Sequence, residues 1–403
     1  MALDYAVVTL KPHFERFIRK GQLWAYDNEV ETVEGDPQPG DIVRVRNYAG
    51  KDLGLAFYNP HSKIRIRLLL THTAPITADF FADRIRNAYL LRQQLIDFQQ
   101  NTMYRLVFSE ADFLPGLVVD IFDRYAAIQM LAYGLERLSA EIQEALLQVL
   151  PGLQGIYAKN DSVLRQKEGL PLYEETLWGS IPEEIVCLEN NLRFCINIAS
   201  GQKTGFFLDQ KTNRLWIQKF ARDRAVLDCF SNQGGFALNA AAAGARSITA
   251  VDSSAPALAI AQRNFELNGF SKQAVEFVCD DVFDFLLEAK RAGRQWDLII
   301  LDPPAFTKSK EQIPAAIRGY ARLHRLAFRV LAPDGILATS SCSYHIDEER
   351  FLRIVQEEAL RSGRFLQLLY RGQQSPDHPI LPAMPQTKYL KFFLFRCLQS
   401  PAE

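Results

Sequence analysis

The sequence predicts an α/β protein with three domains, the last of which contains a doubly wound parallel sheet. From about residue 225 onward, short apolar runs alternate with helical segments. Uninterrupted apolar strands are typical of a parallel sheet that helices cover on both faces. Residues 5–70 instead contain short strands between turns, and 403 residues are too many for one ordinary domain. We therefore expect a β-rich domain over 1–71, a central α+β domain over 72–190 and the doubly wound domain over 191–403.

The N-terminal domain is predicted to be a small, mostly β module. A turn-rich segment (GDPQPG) precedes a strand at 42–47, and a second strand at 53–58 completes a hairpin. A short helix is expected at 14–20. The strand at 64–68 alternates apolar with basic side chains, so one of its faces should be cationic.

The central domain is predicted to combine helices and strands in two layers. An amphipathic helix over 79–100 should bury one stripe of side chains. The stripe consists of Phe81, Ile85, Ala88, Leu91 and Leu95. After it we expect strands at 117–121 and 126–131, a helix at 138–150, and strands near 155–159 and 192–198.

The C-terminal domain is predicted to be Rossmann-like. The expected strands are 225–229, 247–251, 275–278, 298–301 and 335–338, and the expected helices are 235–243, 255–268 and 283–292. Ligands of such sheets bind at the carboxyl ends of the strands. Polar residues that directly follow a strand are therefore the candidates for a site.

Three strands end in such residues. Asp228 opens a strand-to-helix turn with two adjacent glycines, Gly234 and Gly235, which let the backbone approach a ligand. Asp252 could accept hydrogen bonds from the two ribose hydroxyls of a nucleoside, or it could cap the next helix. Asp281 could accept the amino group of an adenine, or it could belong to a solvated turn.

Two further signals lie at the ends of later strands of the same sheet. Asp302, Pro303 and Pro304 end the fourth strand, where the prolines fix the backbone of an irregular loop. Cys342 follows the strand at 335–338 and stands between serines. A buried cysteine is usually a small hydrophobic residue, but this position at the sheet edge favours a nucleophile. His345 is a candidate for lowering the pKa of the thiol, or it is a packed or surface histidine.

Together these signals favour a site for S-adenosylmethionine with a cysteine beside it. C5 of cytosine is too weakly nucleophilic to take a methyl group directly. Addition of a thiolate to C6 makes C5 enamine-like, and loss of the C5 proton later expels the thiolate. The thiolate is the reactive form, so nearby positive charge or hydrogen-bond donors must depress its pKa.

Composition limits the other possibilities. No apolar run reaches the roughly 18 residues of a membrane span, and residues 1–5 lack the pattern of a signal peptide, so we expect a cytoplasmic protein. Six cysteines without CxxC pairs should be reduced thiols, neither disulfides nor metal ligands. A net charge of −1 gives no global nucleic-acid signature, so an RNA partner needs a local basic surface. A neutral enzyme with a small-molecule substrate stays open on this ground.

With these motifs the chain resembles the PUA-domain-containing class I methyltransferases of large-subunit ribosomal RNA, specifically the cytosine-C5 enzymes that act on 23S rRNA. The resemblance covers nearly the whole chain. Its N-terminal part resembles the family's PUA domain, with Trp24 and the basic strand KIRIR in matching places. Further matches are DFLPGLVVD at 112–120, DSVLRQKEG at 161–169, GQKTGFFLDQ at 201–210 followed by Arg214, DHP at 377–379 and YLK at 389–391.

The resemblance also implies roles for individual residues. It implies a donor pocket formed by Asp209, Gln210, Asp228, Phe230, Gly234, Asp252, Asp281 and Asp302. Cys342 would be the nucleophile, and Asp302 would contact the substrate base or assist proton transfer. Pro303 and Pro304 would lie on the substrate side, where Phe306 could stack on the flipped base. Phosphate contacts would come from Arg16, Arg19, Lys20, Lys63, Arg65 and Arg67. Relatives in this family make a homodimer plausible.

One departure from the family pattern concerns residue 305. Ala305 stands where relatives commonly carry Lys, and Lys308 or Lys310 could compensate. Many RNA cytosine-C5 methyltransferases have a second cysteine here, which this family lacks, so the group that removes the C5 proton is unassigned. Two alternatives stay open: methylation of a base nitrogen, for which Cys342 would be dispensable, and a non-catalytic ribosome-assembly factor.

Overall fold

The computed structural model describes residues 5–72, 74–201, 203–270, 275–307 and 309–399. These residues form two compact units. The first comprises the described parts of Met1–Leu188, Ile196–Leu208 and Pro376–Lys388, and the second those of Glu189–Cys195, Asp209–Ser375 and Tyr389–Glu403. The division into three domains at residues 71 and 190 stays a prediction. No helix among the described residues has the length and apolar character needed to cross a membrane.

The first unit begins with a six-stranded sheet. Its elements are β1 (Val7–Leu10), α1 (Glu15–Arg19), β2 (Trp24–Ala25), β3 (Val30–Glu34), β4 (Ile42–Arg46), β5 (Asp52–Tyr58) and β6 (Ile66–Leu70). The strand order is β2-β6-β5-β4-β1-β3; in this sheet β1 and β4 pair in parallel, and the other neighbouring strands pair antiparallel. Alternate residues such as Val8, Leu10, Val43 and Val45 fill one core, as the predicted hairpin requires.

The predicted cationic face of β6 is wrong at Arg67. Every residue of this strand is buried, and the Arg67 guanidinium forms ion pairs with Glu110 (3.3 Å) and Glu168 (2.8 Å). A buried guanidinium needs such partners to offset its lost hydration. Arg67 is therefore a structural residue, whereas Arg65 is half-buried and Lys63 is exposed.

The rest of the first unit packs helices against a five-stranded sheet, with strand order β11-β10-β9-β8-β7. Its elements are α2 (Phe80–Leu95), β7 (Met103–Phe108), β8 (Leu117–Phe122), β9 (Tyr125–Met130), α3 (Tyr133–Arg137), α4 (Ser139–Val149), β10 (Gly155–Asn160), α5 (Val163–Lys167) and β11 (Tyr173–Gly179). Strands β12 (Ile185–Glu189) and β13 (Leu192–Ile196), whose residues are divided between the two units, form a separate two-stranded sheet.

The predicted stripe of α2 is correct only in its first half. Phe81, Ile85 and Ala88 are buried, but Leu91 and Leu95 are exposed. Arg92 takes the next buried position, because its guanidinium binds both carboxylate oxygens of Asp112 at 2.5 and 2.7 Å. A bidentate charge pair of this kind allows a cation to occupy a core-facing position.

The second unit is a seven-stranded sheet with helices. Its elements are α6 (Lys211–Ala221), β14 (Ala225–Cys229), α7 (Gly235–Ala242), β15 (Ser247–Asp252), α8 (Ala255–Leu267), β16 (Val275–Cys279), α9 (Val282–Arg291), β17 (Trp296–Leu301), α10 (Ile313–Val330), β18 (Leu331–Ser341), α11 (Glu348–Arg361), β19 (Arg364–Gly372) and β20 (Lys391–Gln399). The strand order is β16-β15-β14-β17-β18-β20-β19.

Strand direction places the candidate site. Strands β14 to β18 are parallel to one another, and β20 is antiparallel to both β18 and β19. The chain runs outward from β14 through β15 to β16, and then returns to β17 on the other side. The strand order thus reverses between β14 and β17, and ligands of open α/β sheets bind at the carboxyl ends beside such a reversal.

Candidate active site

The turn after β14 has an unusual backbone. Phe230, Asn232 and Gly234 all have positive φ, at 62°, 49° and 74°. For a residue other than glycine such a conformation costs of order 1 kcal/mol or more, and it persists where the surroundings fix it. A larger residue cannot easily replace Gly234, since its Cβ would lie 3.0 Å from Cβ of Ala261. The turn is therefore held close against its neighbours, as the glycine pair predicts.

Asp228 has the strongest electrostatic signature of the turn. Its side chain is fully buried, and Oδ2 accepts a hydrogen bond of 2.9 Å from the backbone N–H of Ala237. Oδ1 has no partner among the described residues. Burial raises the pKa of Asp228 to about 8, and the charges of Asp302 and Asp252 add to the rise. An unpartnered buried carboxylate oxygen fits a cationic ligand group such as the ammonium of S-adenosylmethionine.

Asp252 shapes the same turn from the end of β15. Its Oδ2 accepts from the backbone N–H of Asn232 (2.8 Å), and Oδ1 accepts from that of Ser254 (2.9 Å). The alternative role as a helix cap belongs to Ser254, whose hydroxyl accepts from Ala257 at the start of α8. Each carboxylate oxygen can accept a second hydrogen bond. Asp252 can thus still receive ribose hydroxyls.

Asp281 caps α9. Its Oδ1 accepts from the backbone N–H groups of Phe283 (2.8 Å) and Asp284 (3.2 Å), and the side chain is exposed. A carboxylate at this position stabilises the helix start. Its contact with an adenine stays a prediction.

Asp209 and Gln210 are buried and anchored within the second unit. Oδ2 of Asp209 accepts a hydrogen bond of 2.6 Å from the Tyr389 hydroxyl. Nε2 of Gln210 donates to Oδ1 of Asp302 over 2.9 Å, and Oε1 of Gln210 accepts from Asn213 over 2.6 Å. The structure therefore brings Gln210 and Asp302 together, two residues that the sequence could assign only separately.

Asp302 also connects to the end of β18. The hydroxyl of Ser340 donates to Oδ1 of Asp302 and lies 3.3 Å from the carbonyl oxygen of Leu301. The register pairs Leu301, the last residue of β17, with Thr339, and β18 continues for two more residues to Ser341. The sequence places Ser340 near Cys342 but gives no sign that Ser340 binds Asp302.

The loop after Asp302 is partly packed. Pro303 is buried and Pro304 is exposed, while Phe306 is half-buried. The ring of Phe306 packs 4.6 Å from that of Tyr320, measured between centroids, and 6.4 Å from that of Phe283. A base could therefore stack only on the remaining surface of Phe306. Lys308 lies outside the described residues, and Lys310 is exposed.

Cys342 directly follows β18 and is half-buried. Its neighbours Ser341 and Ser343 are fully buried, and both hydroxyls lie 2.9 Å from the Tyr320 hydroxyl. The buried ammonium of Lys391 donates a hydrogen bond of 2.7 Å to the carbonyl oxygen of Ser343. This brings a positive charge to the loop of the thiol, the type of group that favours a thiolate. Sequence reasoning noted Lys391 only as part of a signature and missed Tyr320.

His345 is half-buried in the same loop, with its ring 5.3 Å from that of Tyr344, and its effect on the Cys342 thiol stays a prediction. Cys229 lies in a different environment. Cys229 is fully buried, and burial together with the Asp228 charge raises the pKa of its thiol well above the usual value. A thiol of this kind is unreactive packing. The geometry thus separates Cys342 from the cysteine inside the donor turn.

Comparisons with known proteins agree with this geometry. A family model described as S-adenosylmethionine-dependent methyltransferase matches residues 117–396, and a PUA-like domain model matches residues 8–71. A ribosomal RNA large subunit methyltransferase I from Vibrio cholerae is 39% identical over 95% of this chain and 97% of its own length. One from Pseudoalteromonas atlantica is 38% identical over 97% and 99%.

A solved structure shows the same fold. A methyltransferase complexed with SAH superposes with a TM-score of 0.85 and 23% identity, covering 97% of this chain and 99% of its own. The α/β fold with an N-terminal β-rich PUA-like domain agrees with the prediction, and so does S-adenosylmethionine as cofactor. The chain belongs to the S-adenosylmethionine-dependent methyltransferase family that includes the ribosomal RNA large subunit methyltransferase I proteins.

Proposed function

We propose that the protein methylates C5 of a cytosine in 23S ribosomal RNA, with Cys342 as the nucleophile. The relatives that cover nearly the whole chain are named for large-subunit ribosomal RNA. The observation that carries the cytosine-C5 assignment is the position of Cys342, which directly follows β18 and lies two residues after Ser340, whose hydroxyl donates to the Asp302 carboxylate at the end of β17. A nitrogen-methylating enzyme has no use for a thiol at that place.

The donor would be held by the residues around the turn after β14. Oδ1 of Asp228 would receive its ammonium, Asp252 its ribose hydroxyls, and Asp281 the adenine amino group. Asp209 and Gln210 would complete the pocket with Phe230 and Gly234. S-adenosylmethionine supplies an electrophilic methyl group that a carbon nucleophile can take.

Cys342 activates the base by covalent addition. Its thiolate would form a bond from Sγ to C6, and the electron pair of the C5–C6 double bond would move onto C5, in conjugation with C4 and N3. C5 would then take the methyl group of S-adenosylmethionine, whose sulfur–methyl bond breaks so that S-adenosylhomocysteine leaves. A base removes the C5 proton, the C5–C6 double bond re-forms, and the C6–Sγ bond breaks to return the thiolate. Ala305 offers no side chain for that proton, so a water molecule or Asp302 must take it.

RNA would be held through its phosphates. Residues 1–70 contain ten basic and nine acidic side chains, so only a local cluster can supply this attraction. In α1 and just after it, Arg16, Arg19 and Lys20 are exposed, and the guanidinium of Arg16 lies 4.9 Å from the centre of the Phe17 ring. We propose these three residues with Lys63 and Arg65 as phosphate contacts, and we leave out Arg67. The base itself must leave its stack to reach Cys342.

Two further assignments belong to the same proposal. We place the protein in the cytoplasm, because ribosomal RNA of the bacteria that supply the relatives is there. A homodimer stays a prediction that sedimentation of the purified protein tests directly.

The experiment incubates the protein with methyl-labelled S-adenosylmethionine and unmodified 23S rRNA, and then identifies the labelled base. Cys342→Ala is compared with Cys279→Ala, because Cys279 ends β16 and is exposed. We expect label in 5-methylcytosine for the wild type and Cys279→Ala, and none for Cys342→Ala. Label on a base nitrogen, or full activity of Cys342→Ala, would overturn the covalent mechanism. Absence of S-adenosylmethionine binding would favour a non-catalytic assembly factor.

A further inference from the structure

We propose that Tyr320 is a positioning residue that fixes the Cys342 loop relative to the loop carrying Asp302 and Phe306. The inference rests on the proposed function, because it concerns where the thiol meets the base. No sequence motif points to Tyr320, which lies in the middle of α10. The argument depends on the hydroxyl groups that meet at its ring.

The Tyr320 hydroxyl bridges the two sides of Cys342. It lies 2.9 Å from Oγ of Ser341 and 2.9 Å from Oγ of Ser343. All three side chains are fully buried, so water cannot replace a lost partner without cost. The Tyr320 hydroxyl oxygen thus anchors the residues on both sides of Cys342.

The same chain of hydrogen bonds reaches the acceptor loop. Oγ of Ser343 accepts from the backbone N–H of Phe306 over 3.1 Å, and Oγ of Ser341 accepts from the N–H of Ser343 over 3.3 Å. Tyr320 has one hydroxyl proton. It therefore donates to one serine and accepts from the other, and the loops after β17 and β18 become one hydrogen-bonded unit.

The phenol stays neutral and its ring is rigidly backed. Burial raises the pKa of Tyr320 to about 12, so the proton stays on the hydroxyl at working pH. The ring centroid lies 4.6 Å from that of Phe306 and 5.1 Å from that of Phe351. The hydroxyl is therefore held by the core and can act as a fixed point for the loops.

A fixed point matters because the thiol must approach C6 in a narrow geometry. A displacement of about 1 Å can lower a rate by about 100-fold. Tyr320→Phe removes the hydroxyl and keeps the ring contacts. We expect kcat to fall by about 10- to 100-fold, while KM for RNA and for S-adenosylmethionine changes by less than about twofold.

The matched control is Thr339→Val. Thr339 is fully buried in the same strand, and its hydroxyl lies 2.9 Å from Nε2 of His324, away from the two loops. Both variants lose one buried hydroxyl, so both should lower the melting temperature. If Tyr320 only stabilises the fold, the two variants will have equal kcat. If it positions the loop, only Tyr320→Phe loses turnover.

Covalent trapping adds a second measurement, the rate of adduct formation, which does not depend on the stability of the fold. RNA containing 5-fluorocytosine retains the adduct, because the fluorine at C5 cannot leave as a proton. We expect Tyr320→Phe to form this adduct more slowly in proportion to its lower kcat, and Thr339→Val to form it at the wild-type rate. If Tyr320→Phe forms the adduct at the wild-type rate, the role of Tyr320 is overturned and the proposed function stands. If the wild-type protein labels a base other than cytosine, both the proposed function and the role of Tyr320 are overturned.

Discussion

The side-chain amide of Gln210 donates a hydrogen bond of 2.9 Å to Oδ1 of Asp302. Asn213 orients that amide from the other side, through a 2.6 Å hydrogen bond to its oxygen. A residue that precedes α6 is thereby connected to the loop after β17. The carboxylate that we place against the substrate base is held in a defined orientation before any ligand binds.

The first prediction concerns this bond. Gln210→Leu should lower kcat/KM for methylation by about 10-fold or more, because a charge-assisted hydrogen bond contributes about 1.5 to 3 kcal/mol. Initial-rate measurements with unmodified 23S rRNA give the number. Gln218→Leu is the control, since Gln218 in α6 also donates through its amide, but to Asn239 over 2.7 Å and not to Asp302. Equal loss in both variants would show that the effect is structural.

The second prediction concerns pH. The pKa of Asp228 is about 8 in the folded protein without ligand, well above its usual value of 3.8. The folded state then binds one more proton than the unfolded state between about pH 4 and pH 8. Stability should therefore decrease across this range, by up to about 1.4 kcal/mol per pH unit from this one group.

Asp228→Asn isolates that group. Denaturant unfolding of the wild type and of the variant at several pH values gives the free energy of unfolding of each protein. The slopes of these free energies against pH are then compared. We expect the variant to be the more stable protein near pH 8. We also expect it to bind S-adenosylmethionine at least about 10-fold more weakly, because the ammonium of the ligand loses a carboxylate partner. Parallel stability curves for the two proteins would contradict the raised pKa.

The third prediction separates Arg67 from Arg65. Arg67→Met leaves Glu110 and Glu168 without their shared cation, and removing one partner of a buried ion pair costs about 3 to 5 kcal/mol. Urea unfolding should show a loss of this size. Arg65→Met should change the free energy of unfolding by less than about 0.5 kcal/mol and should weaken RNA binding. An unchanged midpoint for Arg67→Met would mean that the two glutamates find other partners.

The fourth prediction concerns the exposed cations near α1. Replacing Arg16, Arg19 and Lys20 together with Gln should lower the salt dependence of RNA affinity. For a phosphate contact on single-stranded nucleic acid, the slope of log K against log salt changes by about 0.7. Filter binding between low and moderate salt should therefore show a slope smaller by about 2. The matched variant replaces Arg291, Arg353 and Arg361, which are exposed on helices of the second unit. If these three reduce the slope equally, the charge effect is not local.

The sequence indicates the central strands β14, β15 and β17 well because most of their residues are buried. Asp228, Asp252 and Asp302 were found for that reason: each follows a short, mostly apolar run. Burial of this kind leaves a pattern in consecutive residues.

Partners that come from distant parts of the chain leave no such pattern. Helix α10 and strand β20, which supply Tyr320 and Lys391, are not among the predicted elements. Arg67 looks like a surface cation because its ion-pair partners stand 43 and 101 positions away. Arg92 is likewise a charged residue in a helix whose burial depends on a distant partner, Asp112, which lies 20 positions away. The burial of such residues depends on partners that are distant in the sequence. The periodicity of apolar residues along a strand or a helix does not reveal those partners.

Strand β20 is made after β19 but lies between β18 and β19 in the finished sheet. A growing chain that has reached Gly372 can contain the donor turn, the Asp302 loop and Cys342, yet β18 still has an open edge. Only when residues 391–399 insert does the Lys391 ammonium reach the carbonyl of Ser343. The order of synthesis thus delays completion of the Cys342 loop until β20 is in place. A chain whose synthesis stops before residue 391 would therefore lack the Lys391 contact that completes this loop.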